Sequence, residues 1–198
     1  MVALQLRYSF EVGVINRSFF FDQVALRLFD GQLRTKTKDS FGQILDYWET
    51  QHSKEDDRWL AYALGTAHHE TDRTFGPIRE YGRGRGRPYG KVDPETGHAY
   101  YGRGLVQLTW RDNYKKMSGA AGVDLVRHPD KALDLKHAIP IMFVGMRDGI
   151  FTGKKLSRYF SASADDWVNA RRIINGTDKA HLIAGYAKKY YGTISYTT

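Results

Sequence analysis

The 198-residue chain contains no cysteine. This absence excludes a disulfide framework and a thiolate metal site, and it suits a protein that folds in a reducing compartment. Long apolar runs are also missing, since the longest one beyond the N-terminal region covers only residues 139–145. Arg7, Glu11 and Arg17 interrupt the first thirty residues, so we expect neither a signal peptide nor a membrane-spanning segment there.

Acidic residues are few relative to basic ones, with 22 Asp and Glu against 30 Lys and Arg and a net charge of +8. Such a surface should attract polyanions such as nucleic acid, anionic lipid or cell-wall polymers, and charge alone does not choose among them. Apolar residues are spread along the whole chain, which is typical of a globular protein. The length favours one domain over residues 1–198.

Apolar residues recur at helical spacing over most of the chain. This spacing predicts helices at residues 16–31, 41–48, 56–70, 110–121, 129–146, 167–174 and 179–191. The periodicity vanishes between residues 75 and 109, where Gly, Arg, Tyr and Pro accumulate, and we expect an inserted loop or small β-lobe there. Residues 1–15 precede the first helix and are expected to be an N-terminal extension.

Glu70 is the first candidate for chemistry. It ends the helix predicted at residues 56–70, on the side of its apolar residues. Partial burial disfavours the ionised form of a carboxyl group, so a glutamate in this position can stay protonated and act as a general acid. A glutamate that merely ends a helix and points to water would occupy the same position, and the spacing alone leaves both interpretations open.

The segment His68-His69-Glu70 also resembles part of a zinc-binding H-E-x-x-H motif. However, Arg73 stands where the second histidine would have to be. The other histidines are dispersed at positions 52, 98, 128, 137 and 181 without ligand spacing. We therefore expect no metal site and no cofactor.

A second carboxylate, Glu80, lies within the irregular segment. It could face Glu70 across a cleft, and the distance between two such carboxyl groups distinguishes inversion from a covalent intermediate. Taken by itself, Glu80 fits better as an ordinary ion-pair partner of Arg79 or Arg83.

Residues 100–110 begin with two tyrosines, bend at glycines and continue as an alternating run with Gln107 and Thr109 on one side. This alternation predicts a strand. Aromatic faces that stack on sugar rings, together with amide and hydroxyl groups, are typical of carbohydrate sites. The alternative is a hairpin edge whose tyrosines cover the core.

Together these residues resemble the family 19 glycoside hydrolases, which comprise plant-type chitinases and phage endolysins with a lysozyme-like fold. His69-Glu70-Thr71 is similar to the family's catalytic His-Glu-Thr, and Arg79-Glu80 to its second acidic segment. Residues 100–109 are similar to its Tyr-aromatic-Gly-Arg-Gly-x-x-Gln-Leu-Ser/Thr signature. Asn113 and residues 174–176 extend the resemblance, which covers residues 16–192.

The resemblance implies a mainly α (α+β) fold in which a helical lobe and a small β or loop lobe border a substrate cleft. It implies that Glu70 is the general acid, Glu80 the general base, and Thr109 the hydroxyl that helps to hold the attacking water. The residues expected to contact substrate are His69, Tyr100, Gln107, Asn113 and Asn175.

The missing cysteines, the short loops between the two carboxylates and Thr109 in place of serine look more like phage and prophage endolysins than plant enzymes. The resemblance thus implies hydrolysis of β-1,4 bonds in the peptidoglycan glycan strand. Such an enzyme would be made in the host bacterial cytoplasm and would reach the cell wall after holin-type release. A chitinase acting on N-acetylglucosamine polymers is the alternative, and it would use the same carboxylates.

Two basic segments are left without a role by the resemblance. The Gly-Arg alternation at residues 83–87 would suit single-stranded nucleic acid. No nucleic-acid-binding motif accompanies it, so we expect no nucleic-acid partner. We also expect the protein to be a monomer. The last helix carries Lys188 and Lys189. We expect it to pack on the first two helices with its lysines solvated, and binding to the anionic bacterial envelope is its alternative role.

Overall fold

The computed structural model describes residues 13–197, and this part of the chain is mainly α. Six α-helices are found in it: α1 (Arg17–Leu28), α2 (Thr35–Gln51), α3 (Asp57–Glu70), α4 (Arg111–Ala121), α5 (Leu135–Asp148) and α6 (Ala180–Tyr191). Four short 3₁₀ helices accompany them at Pro88–Gly90, Pro129–Leu133, Leu156–Arg158 and Asn169–Ile173. No helix between residues 13 and 197 combines the length and the apolar character needed to cross a bilayer.

The strands are all two residues long and form three antiparallel pairs among the described residues. The pairs are β1 (Val14–Ile15) with β6 (Tyr196–Thr197), β2 (Ile78–Arg79) with β3 (Arg103–Gly104), and β4 (Phe160–Ser161) with β5 (Ala164–Asp165). The β1–β6 pair joins the two ends of the described chain, and the β2–β3 pair closes the inserted lobe.

The N-terminal boundary of the domain differs from the predicted one. Residues 1–12 of the expected extension lie outside the described residues. Ile15, however, is buried in the core, and its backbone N–H donates a hydrogen bond of 2.7 Å to Glu49 of α2. The domain therefore includes at least the end of the segment that the sequence assigned to an extension.

Helices α1 to α4 confirm the helical periodicity. Asn16 caps α1, since its side chain accepts a hydrogen bond from the backbone N–H of Phe19. Asp56 caps α3 in the same way, with the backbone N–H of Arg58 as donor. The predicted helix at 129–146 is instead divided at Asp134, whose extended backbone separates a 3₁₀ helix from α5.

Two further predictions need correction. The segment predicted as a helix at 167–174 contains a 3₁₀ helix at Asn169–Ile173 rather than an α-helix. The strand predicted beyond Gly104 is a turn, because the chain takes positive φ angles at Gln107 (55°) and Trp110 (74°). A non-glycine residue with positive φ breaks the extended conformation that the alternation predicted.

Helix α3 is the centre of the fold. Every residue from Leu60 to His68 is buried, so this helix is enclosed on all sides rather than on the single face that the sequence predicted. Its side at Gly65 lies directly against α6, where a Cβ atom added to Gly65 would come within 2.7 Å of the backbone nitrogen of Ala187. The two helix backbones can approach this closely only because residue 65 has no side chain.

Helix α6 packs chiefly on α3. It also contacts α1 and, through Tyr190, Phe41 of α2, so the expected packing on the first two helices is found but is not its main contact. Its buried side includes Ala184, Ala187 and Tyr190, while Lys188 and Lys189 are exposed. The helix thus closes the core, and the expectation that its lysines are solvated is confirmed.

Replacing Gly65 by alanine should destabilise the protein, because the new methyl group would overlap the backbone of α6, which cannot move aside independently. We expect a loss of about 1–3 kcal/mol in the free energy of unfolding, measured by urea denaturation. Gly185→Ala is the matched control, since nothing lies within 4 Å of a Cβ there. That variant should be at least as stable as the parent, because alanine favours an exposed helix position. Equal stability of the two variants would contradict the close contact.

Candidate active site

A cleft with a cavity volume of about 630 Å³ lies between the C-terminal end of α3 and the inserted lobe. Six of the eight site residues predicted from the sequence line it: Glu70, Glu80, Gln107, Thr109, Asn113 and Asn175. They come from α3, the inserted lobe, α4 and the segment before α6. The fold therefore brings together residues that are separated by more than half of the chain.

Glu70 forms an ion pair with Arg171, which follows it by 101 residues in the sequence. The Nη1 atom of Arg171 lies 2.8 Å from Oε1 of Glu70, and the two side chains are 4% and 15% exposed. The Nε atom of Arg171 also donates a hydrogen bond to the backbone oxygen of Asp178 at 3.1 Å. Glu70 is thus half-buried and directed into the cleft rather than left in solvent at the end of a helix.

The guanidinium of Arg171 changes the environment that the sequence predicted for Glu70. In place of the apolar surroundings that the sequence predicted, the carboxyl group has a guanidinium as its hydrogen-bond partner. Only Oε1 is used by Arg171, and Oε2 has no hydrogen-bond partner among the described residues. A proton on Oε2 is compatible with this contact, because Oε1 can continue to accept from Arg171 while Oε2 donates into the cleft.

Glu80 is held by hydrogen bonds from the inserted lobe. Its Oε2 accepts from the backbone N–H of Gly102 and its Oε1 from the hydroxyl of Tyr89, both at 3.1 Å. Burial, together with the charge of Glu80, raises the pKa of Tyr89, so the phenol remains a donor. Arg79 instead pairs with Asp130 at 2.8 Å, and no ion pair of Glu80 is found within residues 13–197. The interpretation of Glu80 as an ordinary ion-pair partner is therefore wrong.

Gly102 and Gln107 form the floor beside Glu80. A Cβ atom on Gly102 would lie 2.7 Å from Oε1 of Gln107, so a larger residue here would displace the Gln107 side chain. The Nε2 atom of Gln107 donates to the backbone oxygen of Ile78 at 3.2 Å, which ties the turn after β3 to β2. Gln107 therefore braces the wall of the cleft as well as lining it.

Thr109 donates its hydroxyl hydrogen to the backbone oxygen of Gln107 at 2.7 Å. With its hydrogen used in this way, Oγ1 can accept a hydrogen bond from a water but cannot donate one. A water that gives one hydrogen to Thr109 and the other to a carboxylate would have its lone pairs free for attack. The orientation of Thr109 suits the role that the resemblance implied.

Two predicted contact residues do not reach the cleft. Tyr100 is only 3% exposed, packs against Tyr114 and donates its hydroxyl to the backbone oxygen of Val126 at 2.9 Å. The structure thus contradicts a substrate contact by the Tyr100 side chain, which supports the lobe from behind. His69 is half-buried on α3 and is not among the residues that line the cleft.

The cleft is also lined by residues to which the sequence analysis gave no role in the site, among them Arg87, Tyr89, Trp110 and Arg171. Trp110 is 50% exposed and meets Tyr89 edge to face at 5.4 Å, so it offers an aromatic surface to a sugar ring. It ends the aromatic stretch that the sequence singled out, and Arg87 ends the Gly-Arg alternation. The sequence thus pointed to the segments that contain Trp110 and Arg87, but only the fold shows that both residues line the cleft.

His68, although adjacent to the site in sequence, belongs to the core. It is 2% exposed, its Nδ1 lies 2.9 Å from the hydroxyl of Tyr190, and burial lowers its pKa to about 4. A neutral, enclosed imidazole supports α6 rather than the cleft. Between residues 13 and 197, no group of three or more His, Cys, Asp or Glu side chains is arranged to hold a metal ion.

Comparisons with known proteins find chitinases, by sequence and by fold. The Chitinase class I model of family 19 glycoside hydrolases matches residues 47–141, a range that includes Glu70, Glu80 and Thr109. Chitinase 11 of Oryza sativa subsp. japonica is 28% identical over 210 residues, covering 90% of this chain and 80% of that protein. The acidic endochitinase of Petunia hybrida is 32% identical over 127 residues, covering 60% of this chain and 49% of that protein.

In sequence the chain is similar to family 19 glycoside hydrolases. Its fold is similar to that of chitinase C from Streptomyces griseus HUT6037, with a TM-score of 0.60, 20% sequence identity and coverage of 93% of this chain and 96% of that one. The enzyme thus has the mainly α, lysozyme-like fold of the family 19 chitinases, as the sequence predicted. The sequence alignments with this chain span about half of the Petunia endochitinase and 11% of endochitinase A2 from Pisum sativum.

Glu70→Gln should lower the turnover number of the enzyme by about 10²- to 10⁴-fold, because the amide cannot donate a proton to the leaving oxygen. Its side-chain oxygen can still accept from Arg171, so the circular dichroism spectrum should be unchanged. Glu95→Gln is the matched control, since Glu95 forms an exposed ion pair with Arg111 away from the cleft. The role of Glu70 would be refuted by a folded variant that keeps a third or more of the parent activity.

Thr109→Val should slow turnover by about 10-fold, which corresponds to the loss of one hydrogen bond made in the transition state. The KM should change less than kcat, because the water is held for attack rather than for substrate binding. Thr109→Ser keeps the hydroxyl and should have nearly the parent rate. Steady-state kinetics of both variants would decide this, and an unchanged kcat for Thr109→Val would show that the hydroxyl is purely structural.

Proposed function

We propose that the enzyme hydrolyses β-1,4 glycosidic bonds in polymers of N-acetylglucosamine, as a chitinase does. The proposal rests on one observation. Glu70 from α3 and Glu80 from the inserted lobe line the same cleft, and the exposed Trp110 lines it too. The similar proteins are chitinases and endochitinases, which favours the same substrate class.

In the proposed mechanism, the glycan lies in the cleft with one sugar ring against Trp110. Oε2 of Glu70 gives its proton to the glycosidic oxygen while Oε1 keeps its hydrogen bond to Arg171. Glu80 takes a proton from the attacking water, whose second hydrogen is accepted by Thr109. Each of these groups acts as the hydrogen bonds described above allow.

We further propose that water attacks the sugar directly and inverts its configuration. Both oxygens of Glu80 already accept a hydrogen bond, from Tyr89 and from Gly102. These bonds stabilise the carboxylate and lower its nucleophilicity, which disfavours a covalent intermediate and leaves Glu80 the role of a base. Proton NMR of the first products should therefore show the α-anomer in excess.

Peptidoglycan is the second candidate substrate. Its glycan strand also has β-1,4 bonds, but its lactyl and peptide substituents carry carboxylates. The presence of Arg87 in the cleft wall and the net charge of +8 favour such an anionic polymer. The same catalytic residues would serve both substrates.

Incubation with an N-acetylglucosamine hexamer, chitin and purified peptidoglycan, followed by mass spectrometry of the released ends, tests the proposal. We expect shorter N-acetylglucosamine oligomers from the hexamer and from chitin, and none with Glu70→Gln enzyme prepared in the same way. Cleavage of peptidoglycan alone would overturn the chitinase proposal. In that case reducing N-acetylmuramic ends would identify a muramidase, and reducing N-acetylglucosamine ends a glucosaminidase.

A further inference from the structure

Three arginines stand together on the inserted lobe without acidic partners. Arg83, Arg85 and Arg87 alternate with glycines and are all exposed. Nine other arginines form ion pairs with carboxylates, but none of these three does so within the described part of the chain. We call residues 83–87 the arginine loop.

The arginine loop has a defined backbone. The N–H groups of Arg83, Arg85 and Arg87 each close a turn by donating to a backbone oxygen three residues earlier, at 2.9–3.0 Å. Gly84 has a φ of +70° and packs so closely on Gly90 that an added Cβ would lie 2.6 Å from the Cα of Gly90. The side chains therefore project from a fixed scaffold, which lowers the entropic cost of binding a ligand.

This scaffold is continuous with the catalytic cleft. The first turn of the loop begins at the backbone oxygen of Glu80, and Arg87 lines the cleft beside Tyr89, the donor to the Glu80 carboxylate. A polymer that passes Glu80 thus passes the arginine loop. Arg83 and Arg85 do not themselves line the cleft, but they stand three and five residues after Glu80 in the same set of turns.

The charge of the arginine loop would find no ionic partner on a neutral glycan. Three guanidinium groups within five residues place like charges on one short segment, and like charges repel each other. Hydroxyl and acetamido groups do not relieve this repulsion. Carboxylates do, and they accept the paired N–H groups of arginine in charge-assisted hydrogen bonds.

We propose that the arginine loop binds carboxylate substituents of a glycan whose backbone occupies the cleft, and so makes the enzyme prefer anionic N-acetylglucosamine polymers to neutral ones. This inference rests on the proposed function and adds the charge of the substrate to it.

The test compares two soluble polymers that share a backbone and differ in charge, the neutral glycol chitin and the anionic carboxymethyl chitin. In the double variant Arg83→Gln/Arg85→Gln, KM for carboxymethyl chitin should rise about 2- to 10-fold at low salt, with kcat unchanged. The rise should disappear at about 300 mM salt, and the constants for glycol chitin should not change.

Arg34→Gln/Arg158→Gln is the matched control, because both of these arginines are exposed, unpaired among the described residues and outside the cleft. It removes the same charge, so an equal rise in KM would show that only net charge matters and would overturn the proposal. An equal effect of the loop variant on both polymers would overturn it too.

Binding gives a readout that does not depend on activity. In affinity electrophoresis, carboxymethyl chitin should retard Glu70→Gln enzyme more than glycol chitin does, and the two loop substitutions should remove the difference. If neither polymer is hydrolysed but this pattern is seen, the proposed function fails and the loop's anion recognition stands. Equal retardation by both polymers, or stronger retention by a single-stranded oligonucleotide than by carboxymethyl chitin, would reject it.

Discussion

The complete burial of α3 is the constraint on which the rest of the molecule depends. A helix enclosed from Leu60 to His68 needs partners on every side, and the nearest, α6, can lie against it only because Gly65 lacks a side chain. The helix leaves the core at its C-terminal end, where Glu70 meets the cleft. A helix enclosed over nine consecutive residues thus positions the candidate proton donor, which limits the motion of that carboxyl group.

The two carboxylates are held in different ways. Glu70 depends on a charge, that of Arg171, which enters from a 3₁₀ helix near the C-terminus. Glu80 depends on neutral donors, the backbone of Gly102 and the phenol of Tyr89, within its own lobe. One oxygen of Glu70 has no hydrogen-bond partner among the described residues, which suits a group that donates a proton into the cleft. Both oxygens of Glu80 accept hydrogen bonds, which suits a carboxylate that acts as a base.

In the proposed mechanism, the inserted lobe supplies both the base and the anion-binding arginines, because its turns are consecutive in the chain. Glu80 begins the first turn of the arginine loop, and the same segment ends in the 3₁₀ helix that carries Tyr89. A change in any of these turns would move both the base and the exposed arginines. This coupling gives a physical reason why a basic surface without ion pairs would be placed here rather than elsewhere on the protein.

Local spacing in the sequence predicted α1 to α4 and placed Glu70 at the end of α3, because helical periodicity and capping depend on residues within a few positions of one another. The resemblance added most of the cleft-lining residues. Only the tertiary structure decided that Arg171 pairs with Glu70, that Tyr100 is buried behind the wall, and that residues beyond Gly104 turn rather than extend. These features depend on contacts between remote segments and on side-chain direction, neither of which a one-dimensional pattern of apolar and polar residues contains.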